Sequence, residues 1–198
     1  GWHEQRPGDW WNAIVRSTRE LLARKIVAAS DIACLAISGQ SLGVVPVDRD
    51  GELLREATPI WSDTRASRQA EAFFTKVDRE AWYMTTGNGF PPECYSLFKV
   101  MWYRDTEPAM FARVHRIIGS KDYINLRLTG KIATDFSYAS GSGAYSLLDW
   151  AYKPDFIAAS GLPAELFPGI VPSTEILGTL TADAADALGL PRSVRVAC

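Results

Sequence analysis

Several segments carry residue types at spacings that chemistry uses. Gly39-Gln40-Ser41-Leu42-Gly43 fits G-x-S-x-G, the pattern that raises a serine on a sharp strand-to-helix turn to attack a carbonyl. That chemistry needs a helix directly after the serine and a histidine to take its proton. Residues 44–47 are instead β-branched and interrupted by Pro46, and the only histidine downstream, His115, lies in a strand-like run. A serine hydrolase using Ser41 is therefore the least supported reading. Asp48-Arg49-Asp50-Gly51-Glu52 opens like a calcium loop, but Pro59 stands where the loop's last position requires a bidentate glutamate, so the segment reads as a turn. Gly141-Ser142-Gly143 lacks the third glycine and the flanking helix of a dinucleotide site, and no G-x-x-x-x-G-K-[ST] loop occurs. Asp122 and Asp135 are the carboxylates that a search for a general base selects. Each fits a cap or turn equally well, since Asp135 follows Thr134 at the head of a stretch of small residues.

The elements that must position these residues follow from periodicity. Pro7 and Asp9 precede Trp10, and Trp11, Ile14, Val15, Thr18, Leu21 and Leu22 then recur at helical spacing opposite Arg16, Arg19, Glu20 and Arg24. Residues 32–37 form a short apolar run ending at Gly39, as expected of a strand buried on both faces. Residues 44–47 and 52–55 flank the Asp-Gly turn and read as a hairpin. Helices are expected over 65–76 and 96–104, separated by the loop Gly87-Asn88-Gly89-Phe90-Pro91-Pro92. A strand is expected over 114–118, then a helix over 121–128, capped by Ser120 and ended by Gly130. Residues 133–146 read as loop or irregular strand, and 181–188 as a last helix. Residues 194–197 read as an apolar strand with no evident partner.

Composition bounds the function. A chain of 198 residues with 47% hydrophobic content can bury one large domain, or one compact piece of a larger one. The formal net charge of −2, with Lys and Arg scattered, leaves no basic footprint for nucleic acid and no electrostatic membrane patch. No apolar run approaches the roughly 18 residues of a membrane span, and the first residues do not read as a secretory signal. Cys34, Cys94 and Cys198 form no CxxC and no Cys/His pair at zinc spacing, so a reducing cytoplasm is the default compartment. Cys34, inside an apolar run, is expected to pack as a small buried hydrophobe. Seven tryptophans with scattered glycine and proline suit an irregular α/β protein.

Collinear segments resemble one family. Gly1-Trp2-His3-Glu4-Gln5-Arg6-Pro7-Gly8-Asp9-Trp10-Trp11 is similar to the "G-x-x-E-Q-D-P-x-x-W-W" start of the first long helix in FGGY carbohydrate kinases, xylulokinase-like members in particular. Ile37-Ser38-Gly39-Gln40-Ser41-Leu42-Gly43 resembles their strand-end "Ile-x-Gly-Gln-Met-His-Gly", and residues 47–55 resemble the hairpin that follows. Ile60-Trp61-Ser62-Asp63-Thr64-Arg65 resembles "Trp-Asn-Asp-x-Arg". Ser96-Leu97-Phe98-Lys99-Val100-Met101-Trp102 resembles the signature with Lys and Trp three apart. Ser120-Lys121-Asp122-Tyr123, Leu128-Thr129-Gly130 and Thr134-Asp135-Phe136-Ser137-Tyr138-Ala139-Ser140 resemble "Lys-Asp-Tyr", "Leu-Thr-Gly" and "Thr/Ser-Asp-x-Ser-x-Ala".

The resemblance implies a ribonuclease-H-like α/β fold of the actin and hexokinase type. Residues 1–198 would be the N-terminal, sugar-binding domain, truncated at both ends, without its first β-hairpin and without the C-terminal ATP domain. It implies phosphorylation of a ketose such as xylulose, a polyol or a sugar acid, with ATP and Mg²⁺ bound by the parent protein and not by this piece. The expected catalytic aspartate would follow Cys198, so the piece alone is expected to be inactive and Asp135 is not assigned as the base. Gln40, Ser41 and Leu42 fall on the triplet that faces the sugar in relatives, and Ser41-Leu42 in place of Met-His leaves the sugar open. Asp63 and Arg65 match positions near the cleft, as ligand contacts or as an intrachain pair. Phe90 could lid the sugar, while Lys99 and Trp102 are mainly structural. The implied partner is a small sugar or polyol, with no nucleic acid and no membrane; a homodimer is compatible. The rival reading is a non-catalytic carbohydrate-binding or scaffold domain.

Overall fold

The computed structural model describes residues 1–198. The long helix Pro7–Ala23 begins at Pro7 and not at Trp10, because the fixed φ and missing N–H of proline suit the first helical position. It packs Trp11 into a core shared with the sheet formed by Ile176–Thr179, Arg195–Ala197 and Cys34–Ala36. Arg195–Ala197 is the central strand. It runs antiparallel to Ile176–Thr179 and parallel to Cys34–Ala36, with Val196 opposite Leu35. The strand expected at 194–197 thus has partners on both sides; a local apolar pattern carries no information about a mate so far away in sequence.

Cys34–Ala36 departs from expectation in the opposite direction. It is the edge of that sheet and only Leu35 meets the core, so Cys34 and Ala36 are exposed instead of buried. An apolar run of this length cannot distinguish a central strand from an edge strand paired on one side only. The prediction that Cys34 packs as a buried hydrophobe fails for the same reason.

A two-stranded ribbon, Val45–Val47 against Arg116–Ile118, separates two cores. Val45, Val47 and Ile118 join the core of the sheet, whereas Val44 and Ile117 point into the second core, as the period of two along a strand requires. Beyond the Asp-Gly turn the hairpin is reduced to the bridge Val47–Leu53 and the bond from Leu54 N to Pro46 O at 3.0 Å.

The second core is aromatic. Helices Ser67–Phe74, Arg79–Thr86, Ser96–Thr106 and Pro154–Ser160 pack Phe73, Trp82, Phe98 and Phe156 together, with Phe73 and Phe98 edge to face at 5.3 Å. The helix Arg79–Thr86 lies outside the expected elements. Helix Ser120–Thr129 starts at Ser120, and the carboxylate of Asp122, not the Ser120 hydroxyl, accepts from Gly119 N at 3.0 Å. Residues 133–146 hold the two-residue strands Thr134–Asp135 and Tyr145–Ser146 around a short helix, Phe136–Ser140. No helix is long and apolar enough to cross a membrane.

Candidate functional site

Past Ala36 the chain leaves the sheet through Ile37-Ser38-Gly39-Gln40 and borders a cleft of about 320 Å³. Gln5, Trp10, Gln40, Ser120, Lys121 and Ile124 are among its walls. The side chain of Gln40 donates to Gln5 Oε1 at 2.7 Å, and the same oxygen accepts from Trp10 Nε1 at 2.9 Å. The short strand Glu4–Gln5 and the first helix are thereby cross-linked to the strand end. The Gln40 carbonyl accepts from Ser120 Oγ at 2.7 Å and from the Tyr138 hydroxyl. Glycine at 39 lets the strand end approach the helix so closely: a Cβ there would stand 2.9 Å from Ser120 Oγ and 3.0 Å from Lys121 N.

The charge at the cleft comes from Lys121, which is buried. Its Nζ lies 3.2 Å from Asp122 Oδ1 and 3.9 Å from Asp135 Oδ1, and donates to Cys198 Sγ at 3.5 Å. Burial alone would lower its pKa, but the neighbouring carboxylates outweigh that and hold it above the ordinary lysine value. Burial likewise pushes the Cys198 thiol up. Both aspartates are committed. Asp135 accepts from Tyr138 N at 2.8 Å and from Ser173 Oγ at 2.7 Å, and so caps the helix Phe136–Ser140. Asp122 fills the same role for its own helix.

The residues singled out from the sequence divide. Gln40 borders the cleft, and Ser41, next in the chain, is exposed and not among its walls. Leu42 is only 6% exposed; its side chain joins the aromatic core and lies where a Cβ on Gly141 would meet it. Leu42, expected to touch a ligand, packs inward from a left-handed backbone (φ 63°). Asp63 and Arg65 are also drawn away from solvent, with no side-chain exposure. Arg65 grips Asp63 through two bonds of 2.9 and 2.8 Å, contacts Glu4 at 2.8 Å, and lies between the rings of Trp2 (4.0 Å) and Trp102 (4.8 Å). They form an intrachain clamp on the N-terminal segment and present no free polar group to a ligand. Phe90 stands 63% exposed on its loop, outside the cleft walls.

Ser41 has no histidine to activate it. His3 pairs with Ser62 and His115 with Arg116. Sequence reasoning passed over Gln5, Trp10, Ser120 and Tyr138 as site residues. The only available signal was their position at element ends that converge on one edge of the fold, which is a property of topology.

Strand ends that open into a cleft on an α/β scaffold are a common place for ligand contacts, and the architecture is the ribonuclease-H-like one of actin- and hexokinase-type sugar kinases. The chain belongs to the FGGY family of carbohydrate kinases, whose N-terminal domain matches residues 1–198. It is 30% identical over 196 residues to the xylulose kinase of Bacillus subtilis (strain 168), covering 99% of this chain and 39% of that protein. A glycerol kinase of Thermococcus gammatolerans is 30% identical over 186 residues, covering 90% of this chain and 36% of that protein. The crystal structure of xylulose kinase from Rhodospirillum rubrum superposes with a TM-score of 0.87 at 30% identity, over 100% of this chain and 41% of that one. The chain thus spans about two fifths of the length of the relatives it matches.

Proposed function

We propose that residues 1–198 are the sugar-binding domain of an ATP-dependent carbohydrate kinase that phosphorylates a hydroxyl of a ketose such as xylulose, a polyol or a sugar acid. The observation that carries this reading is the cleft at the Gln40 strand end, on a chain that matches the FGGY N-terminal domain from its first residue to its last. The cleft is of a size and polarity suited to a small polyhydroxylated ligand: Gln40 and Lys121 supply hydrogen-bonding groups, and Trp10 an aromatic wall.

Phosphoryl transfer from ATP requires a metal to neutralise the developing charge and a carboxylate to take the sugar proton. Asp122 and Asp135 are held by backbone N–H groups and by Lys121, so neither is free to take a metal or the sugar proton. On this reading nucleotide, metal and base come from residues outside these 198. What this chain contributes is orientation: a fixed strand end, and a wall that keeps the sugar in one pose.

The test is ADP release by the intact protein against a panel of ketoses, polyols and sugar acids. Turnover on at least one, with KM raised about tenfold or more by Gln40→Ala, is the expected outcome. No ADP release and no thermal shift with any member would overturn the kinase reading in favour of a scaffold domain.

A further inference from the structure

Lys99 sits in the middle of the aromatic core with none of its surface exposed, and no carboxylate lies within ion-pairing distance of it. Its ammonium is held by backbone. Nζ donates to Leu42 O at 3.0 Å and to Ile60 O at 2.6 Å. These two carbonyls belong to separate segments. Leu42 is the left-handed residue at which the chain turns after Gln40-Ser41, and Ile60 immediately precedes Trp61, whose indole is 53% exposed. A non-glycine residue at positive φ costs free energy and persists only where its surroundings hold it. Here the holding contact is a buried cation on that residue's own carbonyl. The neighbouring residues are pinned as well: Ser96 Oγ donates to Gly43 O at 3.4 Å, and Tyr103 OH to Val44 O at 3.0 Å. One helix, Ser96–Thr106, thus carries three donors that fix three successive carbonyls of the turn. Lys99 is the donor among them that also reaches the second segment, which the bond from Val44 N to Pro59 O at 3.4 Å ties to the turn as well.

We propose that Lys99 is a positioning residue for the Gln40 strand end that borders the cleft, its ammonium pinning the Gln40–Leu42 turn to the Ile60–Trp61 segment. The proposal rests on the kinase reading for the identity of the ligand, but not for the pin itself. It requires the charged form. Burial is the main influence on this lysine and lowers its pKa to about 8, with Asp63 and Cys94 opposing the shift and Arg65 adding to it. A neutral amine keeps two donors but loses the charge assistance that makes such bonds strong.

The intact protein carries the test, with Lys99→Arg and Lys99→Met compared with wild type. Amide hydrogen exchange in Lys99→Met should quicken at residues 41–43 and 60–62, while the sheet Cys34–Ala36/Arg195–Ala197 keeps its protection. Sugar KM should rise about tenfold, with kcat changed less than threefold. Sugar affinity of the wild type should fall above a midpoint near pH 8, and in Lys99→Arg, whose guanidinium stays charged, that fall should vanish. Uniform loss of protection across the domain, or an alkaline fall that persists in Lys99→Arg, would overturn the pin. Should Lys99→Met fail to fold, the wild-type and Lys99→Arg pH profiles still decide it. Failure of the wild type to bind any sugar would count against the kinase reading alone, and the local exchange rates would then settle the pin.

Discussion

Ser120 Oγ donates to the carbonyl of Gln40 across 80 residues of sequence, at 2.7 Å. The hydroxyl at a helix start is used to fix a strand end, and the Tyr138 hydroxyl donates to the same carbonyl while accepting from Ser120 N at 2.8 Å. Two donors from two elements thus hold one backbone oxygen at the edge of the cleft. Ser120→Ala should cost about 1 kcal/mol, since Tyr138 still satisfies Gln40 O, whereas Tyr138→Phe should cost about 1–3 kcal/mol because Ser120 N is left without a partner. The double variant should depart from additivity by about 0.5 kcal/mol or more, measured by chemical denaturation.

The same tyrosine dictates its neighbour. A Cβ on Gly119 would fall inside the Tyr138 ring, so the residue must be glycine for steric reasons, although its φ of −86° suits any residue. Gly119→Ala should destabilise by about 1–3 kcal/mol through overpacking. Adding it to Tyr138→Ala should cost almost nothing further. Thermal unfolding of the two singles and the double reads this out, and an undiminished cost of Gly119→Ala in the Tyr138→Ala background would refute it.

Much of the fold was legible because its signals are local. The first long helix follows from apolar spacing, and the helix ended by Gly130 from its stop residue. Even the overlooked helix Arg79–Thr86 carries both marks: Asp78 accepts from Ala81 N at 2.8 Å, and Gly87 closes the helix at a φ of 67°. What could not be read was pairing. The strand at 34–36 shows the same apolar run whether central or edge, and one of the two mates of Arg195–Ala197, the strand Cys34–Ala36, lies far away in sequence. At the site, Gln40 was visible through its strand-end motif. Its partners Gln5, Ser120 and Tyr138 are brought to it only by tertiary structure, and the inward turn of Leu42 depends on a backbone conformation that its residue type does not favour.

The Arg65 clamp gives a prediction with a pH signature. Burial alone would raise the Asp63 pKa, but the bonds from Arg65 and the His3 and Arg65 N–H groups together bring it below the ordinary aspartate value. A carboxylate lowered in this way adds stability above its unfolded pKa near 3.9, and that contribution is lost as pH falls through the folded value. Arg65→Met leaves Asp63 buried without its partner and should cost about 3–5 kcal/mol at neutral pH. The Asp63→Asn, Arg65→Gln double variant should lose less and should show a flatter dependence on pH below about 4. Denaturation midpoints collected between pH 2 and 7 check both.

Lys99 should make stability and ligand affinity respond in opposite directions to alkali. Its folded pKa of about 8 lies below the ordinary lysine value of 10.5, so below pH 8 the folded state bears the cost of a buried charge that the unfolded chain carries freely in water. As pH rises from about 8 to 10.5 the folded protein sheds that proton before the unfolded chain does. The stability of wild type relative to Lys99→Met should therefore increase across this window. The grip on Leu42 O and Ile60 O loosens over the same window, because the donor has lost its charge. Titrating unfolding free energy and sugar affinity side by side from pH 7 to 10.5 should show the first difference rising while affinity falls. A stability difference and an affinity that both stay flat across this window would mean that Lys99 matters only as core packing.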